Sequence, residues 1–289
     1  MALLPVLVVL ALAAAVGGII AAARRAGRSS EATVTAARRH GLTVAVLAPV
    51  AGIVTVVLLV GAGADVGHGF PGTVGDAMTL APLAYALAHT IVLLIGELTW
   101  PGPRGQVRRA RLVRRRLSDV APRRLARLLA AGTTVLVAVF VVGAILADPD
   151  GRTISHREGP YLRGASPWPG WHYGRPVTVE LVLLTLLVGA ALWVVVTRPA
   201  VMTGDERIEE ALRRTSAHRV LRGATAGVLV VAGALVTAAG SAVGGVHGVP
   251  SPLPLVLMLL GDAVTLTGIV VLCLPAPRLP VEAPAVPVA

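Results

Sequence analysis

The sequence predicts an all-α integral membrane protein with seven transmembrane helices, on two observations. First, seven apolar stretches are each long enough to cross a bilayer core as a helix, which takes roughly 20 residues. They hold so much Ala, Val, Leu and Gly that 55% of the chain is hydrophobic and its mean hydropathy is +0.78. Second, all 26 basic residues are arginines, and they lie between these stretches on alternating sides. A soluble core helix would carry polar residues on one face, which these stretches do not.

The predicted spans are listed here in chain order: about 3–23, 43–61, 79–98, 128–147, 177–197, 224–243 and 253–274. The first span resembles a signal peptide in length, but Arg24, Arg25 and Arg28 follow the apolar run instead of preceding it. We therefore expect a retained anchor. The tail 275–289 is rich in proline, which predicts a disordered segment.

The distribution of arginine predicts the orientation. Segments 24–42, 99–127 and 198–222 hold five, ten and six arginines, and Arg278 brings that side to 22. The other side holds four: Arg152, Arg157, Arg163 and Arg175. By the positive-inside rule the N-terminus is outside and the C-terminus cytoplasmic. Arginine without lysine is typical of a high-GC bacterial genome, so the expected location is a bacterial plasma (inner) membrane.

Composition also excludes several classes of function. The chain has no soluble basic domain, so its net charge of +11 does not indicate nucleic-acid binding. Without a lysine it cannot form a retinal Schiff base. Its single cysteine, Cys273, is expected to be a small packing residue and cannot form an internal disulfide. No catalytic constellation, metal-ligand cluster or cofactor motif is present, so we expect a protein that is not an enzyme and has no cofactor.

The segment Gln106–Val120 is basic and weakly amphipathic. Its apolar residues cluster on one side of a helical projection. The other sides carry the candidates for contact with anionic lipid head groups: Arg108, Arg109, Arg111, Arg115 and Arg116. Such a helix can sense lipids or dock a partner at the interface, or it can simply anchor the orientation of the protein.

The long segment Asp148–Pro176 is predicted outside, and it is rich in aromatic and turn-forming residues. Its candidate residues are Trp168, Trp171, His172 and Tyr173. Trp and Tyr favour the head-group region, so the simplest interpretation is an interfacial belt over the bundle. A ligand lid or a partner epitope is the alternative, because long connections often carry function.

Two ionisable residues fall deep inside predicted spans, where each costs roughly 2.5–3.5 kcal/mol on insertion scales. His89 is near the midpoint of span three and Asp262 near that of span seven. We therefore consider a polar pocket in which they face each other, completed by Tyr85, Thr90 and Thr265. A proton relay or an interhelical hydrogen bond would both explain such a pair. At the inner end of span three, Glu97 is expected to pair with an arginine of the loop that follows it.

The layout of the spans suggests a repeat. Spans one to three and five to seven each contain a basic segment with a histidine, His40 or His218, and then two spans joined by a Gly-rich loop, 62–78 or 244–252. This 3+1+3 topology is similar to that of the SWEET sugar transporters. Two functions stay open. One is a non-enzymatic protein acting through membrane protein partners or lipids. The other is a small-solute or proton-coupled transporter using the His89/Asp262 pocket.

Overall fold

The computed structural model describes residues 30–65, 74–100, 117–200, 206–246 and 251–277. Three sequence predictions lie outside these residues: the first span at 3–23, the arginine-rich run at 101–116, and the tail from 278 onwards.

The described chain is almost entirely helical. Six of its helices are long and apolar enough to cross a membrane, and they correspond to predicted spans two to seven. The protein is therefore a multi-pass helical membrane protein. In chain order the helices are α1 (Ser30–Asp65), α2 (Val74–Leu98), the short α3 (Leu117–Val120), α4 (Arg123–Leu146), α5 (Trp171–Thr197), α6 (Glu206–Val246) and α7 (Leu253–Cys273).

Helix α6 is the centre of the bundle. It packs against α2, α4, α5 and α7, and small and branched side chains such as Ala224, Val228 and Ala232 are fully buried on it. Helix α6 begins well before predicted span six and runs for 41 residues without a break. No proline or terminating turn interrupts 206–222, so the helix extends to about 60 Å, twice the thickness of a bilayer core.

Glycines let α7 pack closely on α6. A methyl group at Gly233 would collide with Thr265, one at Gly240 with the Pro254 carbonyl, and one at Gly268 with the Ala226 carbonyl. Small residues at these positions bring the two backbones together, which gives van der Waals contact where lipid provides no hydrophobic driving force.

Helix α1 begins well before the predicted span two and packs on α2. The Tyr85 ring of α2 lies directly over Gly52 of α1, and Val44 of α1 lies against Gly96 of α2. At one end of the bundle α1, α4 and α6 begin while α2, α5 and α7 end. This end also carries most of the described arginines, and we call it the arginine end.

A β-hairpin marks the opposite end, which we call the hairpin end. Strands β1 (Ile154–Glu158) and β2 (Tyr161–Ala165) pair antiparallel, with Glu158 opposite Tyr161. An all-α prediction misses this element. Its sequence signal is the two-residue loop Gly159–Pro160: Gly159 has φ of +60°, as the first position of a tight hairpin turn requires.

Candidate functional site

The structure does not bring His89 and Asp262 together. His89 of α2 lies against Gly223 of α6, whereas Asp262 of α7 accepts a hydrogen bond from Thr237 of α6. These two contact points are 14 residues apart on one continuous helix, or about 21 Å at 1.5 Å per residue. The predicted His89/Asp262 pocket is therefore wrong, because the two residues contact the same helix at different depths.

His89 occupies a tightly packed position between α2 and α6. It is 1% exposed, and its ring stacks on the Tyr85 ring with centroids 5.8 Å apart. Its Nδ1 has no hydrogen-bond partner among the described residues and faces Gly223, where even a methyl group would collide with it. Thr90 is also buried, but its hydroxyl donates to the Ala86 carbonyl of its own helix at 2.7 Å. Thr90 therefore offers no free donor to a pocket.

Asp262 lies at the edge of the α6–α7 interface. Its side chain is exposed, and Thr237 Oγ1 donates to its Oδ1 at 2.9 Å. Thr265 is half-buried one turn away and packs against Gly233. The carboxyl group of Asp262 therefore lies at the exposed edge of the α6–α7 contact, near the middle of α7.

A buried ion pair at the arginine end joins α2 to the end of α5. Arg198 Nη1 donates to Glu97 Oε2 at 2.5 Å, and both side chains are buried. The guanidinium carbon of Arg198 lies 3.6 Å from the centroid of the Trp100 ring, in cation–π contact. The expected partner of Glu97 was an arginine in the loop after span three. The partner among the described residues is instead Arg198, about 100 residues further along the chain, and the loop arginines at 101–116 lie outside the described residues.

Arg213 of α6 binds the backbone carbonyls at the same end of α5. Its guanidinium donates to the carbonyls of Val195, Val196 and Arg198 at 2.5–2.8 Å, and it is 2% exposed. The last carbonyls of a helix have no partner within the helix and carry partial negative charge. Arg213 satisfies three of them, and Glu209 balances its charge at 2.7 Å.

His40 adds α1 to this cluster. Its Nε2 lies 2.8 Å from the Gly96 carbonyl, and its ring meets the Trp100 ring edge-on at 5.7 Å. The arginine-end cluster, which we define as His40, Glu97, Trp100, Arg198, Glu209 and Arg213, thus ties four helices together. The positive charges of its two arginines equal the negative charges of its two glutamates, so these four side chains add no net charge to the buried cluster. The sequence did not indicate that both arginines are buried.

A crevice of about 550 Å³ opens at the arginine end beside this cluster. It lies where α3, α4 and α6 meet the chain after α7. Its charged and titratable lining residues are Asp119, Arg123, Glu210, Arg214 and His218.

The crevice combines three groups suited to an anion. Helix α4 begins there with Pro122 as its N-cap, and no side chain caps its free backbone N–H groups. His218 is 9% exposed, and its Nε2 has no hydrogen-bond partner among the described residues. Arg123 and Arg214 supply positive charge, although Arg214 is paired with Glu210 at 2.5 Å. The five predicted lipid-facing arginines, Arg108 to Arg116, lie outside the described residues, but that segment joins the chain at Leu117, close to this crevice.

The aromatic candidates of the hairpin end secure the connection between α4 and α5. Trp168 is 4% exposed and donates its indole N–H to the Gly143 carbonyl at 2.8 Å. Trp171 packs against Gly151 and lies under the Arg175 guanidinium at 4.2 Å. These contacts hold the segment onto the helix ends.

His172 and Tyr173 belong to the same arrangement. His172 Nε2 lies 3.2 Å from Asp76 Oδ1, which joins the start of α5 to the start of α2. The Tyr173 ring meets the His172 ring edge-on at 4.9 Å. All four aromatic candidates thus make contacts that fix the loop on the helix ends.

Comparison with known proteins gives no match: no family model, curated relative or solved structure is similar to this chain. Within the described residues, no three His, Cys, Asp or Glu side chains are grouped as metal ligands. The predicted packing role of Cys273 was wrong, because this thiol is exposed at the end of α7. The contacts and the crevice of the described residues are therefore the basis for a functional proposal.

Proposed function

We propose that this is a non-enzymatic protein of a bacterial plasma membrane that binds anionic lipid head groups at the crevice of its arginine end. In this proposal the arginine end faces the cytoplasm. The observation that carries it is the crevice itself, which is lined by an uncapped helix N-terminus, Arg123 and the buried His218.

The depth of the crevice supports a lipid ligand. Arg123 precedes the predicted start of span four at 128 by five residues, or about 7 Å along the helix. His218 precedes span six at 224 by six residues, or about 9 Å. Both residues therefore lie in the layer that lipid phosphates occupy just outside the hydrocarbon core.

The chemistry of the crevice supports a phosphate group. Backbone N–H groups at a helix N-terminus bind phosphate, and arginine adds charge-assisted hydrogen bonds. Asp119 and Glu210 limit the net charge of the lining, so recognition depends on placed donors more than on overall charge. The neighbouring run of arginines at 101–116 would add electrostatic attraction to an anionic leaflet.

The experiment is lipid retention in nanodiscs that contain phosphatidylcholine and phosphatidylglycerol, measured by native mass spectrometry after detergent extraction. We expect the double variant Arg123→Gln, Arg214→Gln to retain several-fold less phosphatidylglycerol than the unchanged protein. The control variant is Arg157→Gln, Arg163→Gln, which removes the same charge from the exposed hairpin. It should retain the normal amount.

Equal retention by both variants would contradict the proposal. A second arm adds glycerol 3-phosphate or inorganic phosphate as a competitor. Competition at millimolar concentration would show a site for soluble phosphate compounds instead of lipids. A protein partner at this face would leave lipid retention unchanged in both variants.

Orientation has its own test, and the native thiol provides the control. Cys273 is exposed at the arginine end, and Ser155 is exposed on the hairpin. We expect a membrane-impermeant maleimide applied to intact cells to label Ser155→Cys in a Cys273→Ser background but not the native protein. Labelling of native Cys273 alone would reverse the proposed orientation.

A proton-coupled transporter is the second candidate, and His89 is the observation that favours it. A buried imidazole without a hydrogen-bond partner is unusual in a membrane interior and often marks a proton site. Proteoliposomes with a pH-sensitive dye inside would test it. A proton flux that is lost in His89→Phe and kept in Tyr85→Phe would favour transport, whereas no flux in the unchanged protein would exclude this candidate.

A further inference from the structure

Helix α7 lies at the edge of the bundle and leaves a broad face uncovered. It packs chiefly on α6, and its buried residues are Gly261, Gly268 and Val271. Along its uncovered face one row of residues recurs at alternating intervals of four and three, and every member is exposed. We call this row the α7 seam: Leu255, Leu259, Asp262, Leu266, Ile269 and Cys273. The same alternation of intervals lines the contact between two helices in a left-handed pair.

Asp262 lies in the middle of the α7 seam, nine residues after the first residue of its helix and eleven before the last. Thr237 Oγ1 of α6 donates to its Oδ1 at 2.9 Å, and its Oδ2 has no hydrogen-bond partner among the described residues. A charged group at this depth is costly, and acids within membranes ordinarily lie inside a bundle and pair with a cation or a donor. The described bundle gives this carboxyl group one donor and leaves its side chain exposed.

The other acidic residues of the described spans are not exposed. Glu97 is buried in the ion pair of the arginine end, and Glu180 is half-buried on α5. The exposed positions of α1, α4 and α5 within their predicted spans are all uncharged, as Val141 and Leu186 illustrate. Faces of that kind need only lipid around them. The α7 seam differs from them by its central carboxyl group, which lipid chains cannot satisfy.

We propose that the α7 seam binds a transmembrane helix of another membrane protein, and that this helix carries a lysine or arginine near the middle of its span. Opposite charges attract strongly in the hydrocarbon core, where the dielectric constant is low. A cation at mid-depth is as costly on its own as the carboxylate is, so pairing relieves both proteins. The leucines on either side of Asp262 would provide the packing contacts.

A second copy of this chain cannot supply that cation. The chain has no lysine, and none of its seven predicted spans contains an arginine. The one histidine within those spans, His89, is buried against Gly223 of its own chain. Two copies that met along this seam would place two Asp262 carboxyl groups together, where like charges repel. The charge of the seam therefore favours a different protein.

Energy transfer in phosphatidylcholine liposomes tests the proposal with a defined probe. The full chain carries a donor dye at Ser155→Cys on the hairpin, in a Cys273→Ser background. The probe is a polyleucine peptide of about 20 residues with one central lysine and an acceptor dye at its end. We expect saturable transfer, with an association constant that falls about 5- to 30-fold in Asp262→Leu. A peptide with a central leucine should show no saturable transfer.

A charge swap adds a gain of binding to this loss. Asp262→Lys should bind the lysine peptide no better than Asp262→Leu does. It should bind a polyleucine peptide with a central aspartate about as strongly as the unchanged protein binds the lysine peptide, because the same pair of charges is restored with its sides exchanged. Failure of the swap in a folded variant would contradict pairing by charge.

The matched control moves the carboxyl group to another lipid-facing helix. Val137 is 49% exposed on α4, near the middle of predicted span four. We expect Val137→Asp in an Asp262→Leu background to bind the lysine peptide as weakly as Asp262→Leu alone. The residues one turn away on that face are Thr134 and Val141, which are smaller than the leucines that flank Asp262.

Three further results would overturn the proposal, each read in variants that keep the unfolding temperature of the parent. Absence of saturable transfer to the lysine peptide would mean that the α7 seam faces lipid. Equal binding by the Val137→Asp control would mean that any exposed carboxyl group at this depth captures the peptide. Transfer between donor-labelled and acceptor-labelled copies of the chain that is lost in Asp262→Leu would assign the seam to a second copy.

Discussion

The two ends of the bundle are closed by different chemistry. At the arginine end long charged side chains reach between helices, as Arg213 does to the carbonyls of α5 and Arg198 does to Glu97. At the hairpin end backbones approach directly, as Pro169 does at Gly143, and an indole N–H provides the hydrogen bond. The arginine end therefore depends on buried charges that stay paired. The hairpin end depends on the absence of a side chain at Gly143, where the loop backbone approaches α4.

This difference follows from the lengths of the helices. Helix α6 is longer than a bilayer core is thick, and its first turns at the arginine end carry long charged side chains that reach the end of α5. At the hairpin end the connection between α4 and α5 folds back over the helix ends, and Gly143 lets it lie close. The comparison predicts that substitutions at the arginine end act through uncompensated charge and those at the hairpin end through sterics.

The largest expected effect is at Arg213. Arg213→Ala should lower the free energy of unfolding by about 3–5 kcal/mol, because it leaves three helix-end carbonyls and the buried Glu209 without their cation. Thermal unfolding in detergent measures it. The control is its neighbour Arg214, which makes an exposed i,i+4 pair, so Arg214→Ala should cost about 0.5 kcal/mol or less. Equal losses of stability in Arg213→Ala and Arg214→Ala would contradict the expectation that buried, uncompensated charge determines the effect of substitutions at the arginine end.

A steric test applies at the hairpin end. Gly143→Ala should cost about 1–3 kcal/mol, since its methyl group would collide with the Pro169 carbonyl. Gly189→Ala is the control in a neighbouring helix. Nothing lies within 4 Å of its added methyl group, so it should be neutral or stabilise by up to about 1 kcal/mol. If both substitutions were neutral in thermal unfolding, the close approach of the loop to α4 would be refuted.

The hydrogen bond of Trp168 gives a smaller effect. Trp168→Phe keeps an aromatic ring and removes the N–H that binds the Gly143 carbonyl, so we expect a loss of about 1 kcal/mol. Trp193→Phe is the control, because Trp193 is 63% exposed on α5 and its indole N–H has no hydrogen-bond partner among the described residues. Both are measured by chemical or thermal unfolding. A larger loss for Trp193 than for Trp168 would be inconsistent with a hairpin end fixed by this indole.

The smallest expected effect is the pH response of the turn before the hairpin. The Arg152 backbone N–H donates to Asp150, which lowers the pKa of that carboxyl below its ordinary value of 3.8. A lowered pKa means that the turn is stabilised above pH 3.8 and loses this contribution as pH falls through the folded value. Hydrogen exchange of the Arg152 and Thr153 amides should therefore speed up in acid relative to the rest of the hairpin. Asp150→Asn should show no such pH step.

The predictions that held are those that depend on local sequence. Spans two to seven follow from runs of apolar residues, and the described helices correspond to them. The described arginines also concentrate at one end of the bundle, as their places between the predicted spans indicate.

The predictions that failed needed long-range information. His89 and Asp262 have similar depths in their own predicted spans, but depth counted along separate segments does not give the register between helices. That register is set where Gly223 meets His89 and where Thr237 meets Asp262. In the same way nothing near Glu97 in the chain reveals that Arg198 is its partner.

The sequence by itself therefore determined that the protein crosses a membrane several times, because hydropathy and span length are local properties. It also determined where charge concentrates. Only the tertiary structure decided that α6 is the central helix, that Arg198 and Arg213 are buried, and that Asp262 bonds to Thr237 instead of facing His89. These outcomes depend on how helix surfaces fit together, and that fit comes from contacts between residues far apart in the chain.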